Sequence, residues 1–133
     1  MESPVTRFVG RVLLVEDNSI NRVVARELLE QLGVQFEFAE DGQIALEKLS
    51  GAAFDLVLMD CVMPRMDGFE ATQAWRQRER EIGGTRTPIV AVSANVTAED
   101  RARCIASGMD DFLGKPIQLS TLAMLFARYL RRA

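Results

Sequence analysis

Five short apolar runs, Arg11–Val15, Gln35–Ala39, Phe54–Met59, Ile89–Val92 and Phe112–Leu113, alternate along the chain with segments of helical period. This alternation narrows the possible folds more than any other feature. In the first intervening segment Ile20, Val23, Val24, Glu27, Leu28 and Leu32 trace a mostly apolar stripe, and Gly33 stands where a helix would stop. Asp41-Gly42 opens a second helix, Ile44 to Leu49. A third begins with Phe69 to Trp75 and runs into the polar "RQRERE" and the loop "IGGTRTP". Thr97 with Asp100 resembles a capping box for a fourth, which Gly108 ends. The last starts near Gln118 and carries Leu119, Leu122, Leu125, Phe126 and Leu130. The order is βα repeated five times, which predicts an α/β fold: a doubly wound parallel sheet with right-handed crossovers and helices on both faces.

At 133 residues, with 48% of them hydrophobic and 26% charged, the chain has room for one folded domain and hardly for a second. Its formal charge of −3 and the lack of like-charge blocks argue against a nucleic-acid face or a polybasic membrane anchor. Arg128, Arg131 and Arg132 read as a solvated last helical turn, where cations suit the helix dipole. Cys61 and Cys104 fit neither metal spacing nor a secreted disulfide framework, so a reducing compartment is the simpler reading. The start "MESPVTRFVG" lacks the apolar core of a signal peptide, and no segment approaches the ~18 apolar residues of a membrane span. A soluble, cytoplasmic domain is expected, compatible with excision from a longer membrane protein. Histidine is absent, which excludes Ser-His-Asp and Cys-His catalysis and histidine metal ligation; any phosphohistidine chemistry must come from a partner.

In an open parallel sheet, ligands bind outside the carboxyl ends of the strands, so what each run ends in matters. The first ends in Glu16 and Asp17, the third in Asp60, the fourth in Ser93 and the fifth, "DFLGKP", in Lys115. Taken singly, each is an ordinary turn or cap residue, as Asp41, Asp67 and Asp100 are read to be. Their joint placement at one edge is not ordinary. Three carboxylates there repel by about 4 kcal/mol per pair at ~4 Å and an effective dielectric near 20. A hard cation that takes oxygen ligands and keeps several waters, Mg²⁺, would compensate them. Lys115 adds a mobile positive charge and Ser93 a hydroxyl, which suits the oxygens of a transferring phosphoryl group. The nucleophile would be a carboxylate.

Through "LLVEDN", "DLVLMDCVMPRMDG", "VSAN" and "GMDDFLGKPI", from Arg11 to about Leu130, the chain resembles the receiver domain of two-component signalling. The resemblance implies a flavodoxin-like (βα)5 fold with strand order 2-1-3-4-5, an arrangement for which a chemotaxis receiver is a standard example. It also implies boundaries: an extension over 1–10, the receiver over 11–131 and a tail at 132–133. Asp60 would be the phosphoacceptor. Asp17 would bind Mg²⁺ directly and Glu16 through a water, with Asp60 and the backbone carbonyl of Val62 completing the protein's ligands. Ser93 and Lys115 would contact the phosphoryl oxygens, Ala94 would control access to the site, and the Lys115–Pro116 bond would be cis. Ser93 and Phe112 would form the switch that answers phosphorylation, although Phe112 lacks the hydroxyl of the commoner tyrosine.

"VEDNSINRVVARELLEQLG" and "MDCVMPRMDGFEATQAWR" resemble receivers of hybrid sensor histidine kinases more than those of DNA-binding regulators. The implied partners are a histidine kinase domain and a histidine phosphotransfer protein. A stand-alone single-domain regulator and a non-phosphorylated interaction module are the alternatives. Retention of every acid argues against the module. A hydrolase working through an aspartyl phosphate commonly has a second acid two residues after its nucleophile, where this chain has Val62.

Overall fold

The computed structural model describes residues 6–61, 67–94 and 97–133. Seven strands and five helices follow in the order β1 (Phe8–Val9), β2 (Arg11–Val15), α1 (Ser19–Leu32), β3 (Gln35–Ala39), α2 (Gly42–Gly51), β4 (Leu56–Asp60), α3 (Gly68–Ile82), β5 (Ile89–Ser93), α4 (Ala98–Ser107), β6 (Asp111–Gly114), α5 (Leu119–Tyr129) and β7 (Arg131–Arg132). The five apolar runs become one parallel sheet in the order β3-β2-β4-β5-β6. Counted over these five alone, that is the 2-1-3-4-5 order of a flavodoxin-like fold.

The sheet has a core on each face, with successive residues of a strand alternating between them. Leu13, Val15, Val57 and Met59 pack with Leu46 and Leu49 of α2, Ala71 and Trp75 of α3 and Cys104 of α4. Val12, Leu14, Leu56 and Leu58 pack with Ala25, Leu29 and Leu32 of α1 and Leu122, Leu125 and Phe126 of α5. The helices begin and end on local signals. Asn18, Asp41, Asp67 and Thr97 accept N-terminal amide hydrogen bonds, and Asp67 forms a full capping box with Glu70. Gly33 closes α1 with φ of 80°, in the left-handed region that only glycine adopts cheaply.

Two expectations change. The stripe read along α1 is buried only towards its end: Leu32 faces the core with Ala25 and Leu29, and Leu28 packs against it, while Ile20, Val23 and Val24 are 72%, 59% and 50% exposed. Arg131 and Arg132 do not extend the last helix. They form β7, which pairs antiparallel with β1, so residues 8–9 and 131–132, read as extension and domain end, close on each other. Phe8 is buried there, edge-on to Phe126 at 5.8 Å. Within the polar "RQRERE", Arg76 and Glu79 are buried, at 5% and 8% exposure.

Candidate functional site

Strand register brings the chemistry to one edge. Val15 lies beside Met59 and Asp60 beside Val92, while Ser93 lies beside Gly114. Glu16-Asp17, Asp60, Ser93 and Lys115 therefore leave the sheet at nearly the same level. Backbone hydrogen bonds continue past the strand ends and fix that level: Glu16 N–H donates to Ala39 O at 2.9 Å, Cys61 N–H to Val92 O at 3.2 Å and Lys115 N–H to Ser93 O at 2.9 Å.

Ligand atoms of Glu16, Asp17 and Asp60 lie within 4.8 Å of one another. Glu16 and Asp60 are buried and Asp17 is exposed, so the cluster has two fixed acids and one that meets solvent. Lys115 Nζ lies 3.0 Å from Asp60 Oδ2 and 3.4 Å from Glu16 Oε1. Burial works against its ammonium, but the hydrogen bond and charge of Asp60 and the charge of Glu16 outweigh that, leaving the lysine above its ordinary pKa and cationic at neutral pH. Among the described residues one lysine faces three carboxylates, an anionic, all-oxygen donor set that fits Mg²⁺. Val62 lies outside the described residues, as does Asn95.

Gly68, the first residue of α3, lies against the backbone of Asp60: a Cβ there would overlap the Asp60 carbonyl oxygen and stand 3.0 Å from Met59 Cγ. Cys61, next to Asp60, is no rival nucleophile. Burial, together with the neighbouring Cys104 and Asp60, pushes its thiol up to about 12. Ser93 is half-buried at the end of β5, Ala94 is exposed beyond it, and the Lys115–Pro116 bond is cis. A 380 Å³ cavity opens above Asp60 between the start of α1 and Pro116-Ile117, lined also by Asn21, Val24 and Ala94. Phe112 stands apart from this cluster, half-buried on β6 with the Arg101 guanidinium 5.6 Å above its ring.

Sequence reasoning missed Gly68, Asn21 and Arg101. Gly68 reads locally as a turn residue, which hides its contact with Asp60. Asn21 lies five residues after Glu16, in the first turn of α1 while Glu16 follows β2, so only the fold shows that the two meet.

The family model for the response regulator receiver domain matches residues 12–126. Hybrid signal transduction histidine kinase A of Dictyostelium discoideum is 43% identical over 120 residues, which span 90% of this chain and 6% of that protein. Curated relatives of this kind are much longer, the chain spanning 6% to 16% of their length. Among solved structures, the receiver domain of sensor histidine kinase PA1611 from Pseudomonas aeruginosa, with a magnesium ion coordinated in its active-site cleft, superposes with a TM-score of 0.81 at 36% identity, covering 90% of this chain and 96% of that one. The receiver domain of Ssk1, crystallised with the histidine phosphotransfer protein Ypd1 of Saccharomyces cerevisiae, gives a TM-score of 0.87 at 27% identity, covering 94% and 90%.

Proposed function

As the chain belongs to the response regulator receiver family, we propose that it serves in a phosphorelay, taking a phosphoryl group from a phosphohistidine onto Asp60. The observation that carries this reading is the gathering of Glu16, Asp17 and Asp60 within 4.8 Å, with Lys115 on the central acid. A carboxylate oxygen of Asp60 forms a bond to phosphorus as the phosphorus–nitrogen bond to the donor imidazole breaks, and the imidazole, already protonated on its other ring nitrogen, leaves neutral. Asp17, Asp60, Glu16 through a water and the Val62 carbonyl would hold Mg²⁺, which supplies charge compensation for the phosphoryl oxygens when bound. Lys115 leaves its carboxylates for the transferred group, and the Ser93 hydroxyl donates to another of its oxygens. Ala94, small and exposed, leaves the approach open.

Ile20, Val23 and Val24 supply an apolar surface beside this entrance, with Val24 on the cavity wall. Exposed apolar side chains grouped at a reaction site suit a helical partner that brings its histidine to Asp60, which fits a kinase domain or a histidine phosphotransfer protein. Among the described residues no helix is long and apolar enough to cross a membrane. The likeness to hybrid signal transduction histidine kinases supports a hybrid sensor histidine kinase as the parent protein, with this domain on the cytoplasmic side. Phosphorylation adds nearly two negative charges and would draw Ser93 inward, freeing Phe112 to turn beneath Arg101 and altering the face of α4, β6 and α5.

Incubation with acetyl phosphate and Mg²⁺, followed by intact-mass measurement, tests the reading. One phosphoryl adduct that needs the metal and is missing from Asp60→Asn is expected. A folded, Mg²⁺-binding protein whose adduct persists in Asp60→Asn would place the acceptor elsewhere and overturn the assignment.

A further inference from the structure

Glu16 is 5% exposed and is held largely by the first turn of α1. The Asn21 amide donates from Nδ2 to Glu16 Oε1 at 3.1 Å, and the Asn18 N–H donates to Oε2 at 3.3 Å. Lys115 Nζ lies 3.4 Å from the oxygen that Asn21 holds. The turn carrying Asn21 is itself fixed: the Ile20 and Asn21 N–H groups donate to Asn18 Oδ1 at 2.9 and 3.0 Å. Arg22 Nη1 donates to the Glu16 carbonyl at 2.8 Å, so side chain and backbone of Glu16 are gripped by the same turn.

We infer that Asn21 is a positioning residue for the metal site, fixing the Glu16 carboxylate so that it stays in place when Lys115 turns to the phosphoryl group. The inference rests on the Mg²⁺-dependent receiver reading above. Lys115 is shared between Asp60 and Glu16 before transfer, and a phosphoryl group on Asp60 competes for it. Once it turns, the Asn21 amide still grips Oε1. Charge decides why an amide suits this position. A lysine or arginine there would also hold Glu16, but would cancel negative charge that attracts the metal. An apolar residue would let the carboxylate swing to Lys115 or into water. A neutral amide donates a hydrogen bond and carries no charge, so it orders the acid while the three carboxylates keep their full attraction for a cation.

The test is calorimetric titration of Mg²⁺ into the wild-type chain, Asn21→Ala and Asn21→Gln, with acetyl phosphate labelling rates measured across Mg²⁺ concentration. A small donor keeps partner docking out of the comparison. Asn21→Ala should bind Mg²⁺ about tenfold more weakly, the low end of what losing an outer partner of a metal ligand costs. It should need correspondingly more Mg²⁺ for half-maximal labelling, yet at saturating Mg²⁺ label within about twofold of wild type. Its unfolding temperature without Mg²⁺ should fall by only a few degrees, as for the loss of one hydrogen bond, with the protein still folded at the titration temperature, and Asn21→Gln should recover most of the affinity. Wild-type affinity in Asn21→Ala, or a loss confined to the saturated rate, would overturn the inference and leave the receiver reading standing. A wild-type chain that takes up no Mg²⁺ would overturn both.

Discussion

Asp60 is an acid placed where the chain can least accommodate movement. It ends a strand whose five residues are all buried, it is 3% exposed, and its carboxylate is drawn to Lys115. Gly68 completes the mount from behind, where only a hydrogen fits against the Asp60 carbonyl. Gly68→Ala should therefore do two things at once. Forcing a methyl into a filled space costs about 1–3 kcal/mol, readable as a lower urea midpoint. Displacing the acceptor should slow labelling by acetyl phosphate about tenfold to a hundredfold, because a shift near 1 Å in a reacting group is that expensive. A variant with normal labelling and normal stability would show that the β4–α3 junction gives way freely. The two residues also differ in what the sequence says of them. A carboxylate ending an apolar run is ordinary taken singly, and becomes conspicuous in one dimension through the acids, hydroxyl and lysine that end the other runs. Gly68 has a local explanation in the turn, and its contact with Asp60 exists only once α3 has folded back on the sheet.

At the scale of elements, the sequence is most informative where a signal is local and least where it depends on what an apolar or charged face meets. β2 and β3 match the apolar runs residue for residue, and every helix start signalled by Asp41, Asp67 or Thr97 is present. The α1 stripe misleads because burial in the chain's own core and burial against a partner both select apolar residues. Ala25, small enough to let α1 approach the sheet, is a weaker signal than Ile20 or Val23. The polar end of α3 misleads in the opposite direction. Arg76 donates to Gly108 O from Nε at 2.9 Å and to Thr87 O from Nη1 at 2.8 Å, and it pairs with Glu79 and Asp110 at 2.7 Å each. Glu79 accepts in turn from Thr87 N–H and Asp110 from Ile89 N–H. One guanidinium thus joins α3, the loop before β5 and the turn before β6. Arg76→Ala would leave Glu79 buried without its cation, so a loss of about 3–5 kcal/mol is expected in urea unfolding. A loss below about 1 kcal/mol, the range of exposed pairs, would mean that water replaces the arginine.

Over the whole molecule, the working end of the sheet is built against the stability of the rest. The two cores and the ribbon of β1 with β7 hold the frame, and Glu16, Asp17 and Asp60 are pressed together at its edge with Lys115 as counterion. Like charges so close oppose folding until a cation arrives, a cost tolerated because it creates affinity for the metal. Asp17 isolates this balance. It is the exposed member, and Lys115 pairs with the other two acids. In chelator, Asp17→Asn should be more stable than wild type by a few tenths to about 1 kcal/mol, the scale of exposed charge interactions. Raising the salt should shrink that difference. In Mg²⁺ the order should reverse. A ligand at a hundred times its dissociation constant stabilises the folded state by about 2.7 kcal/mol, and the variant, short of a ligand, forfeits most of that. Trp75, the only tryptophan and a member of the core beneath α3, reports unfolding by its fluorescence in both conditions. Two urea curves that cross on adding Mg²⁺ would establish that the acids are held under mutual repulsion for the metal's sake. A variant less stable than wild type in chelator as well would show Asp17 to be a structural residue whose carboxylate the fold itself requires.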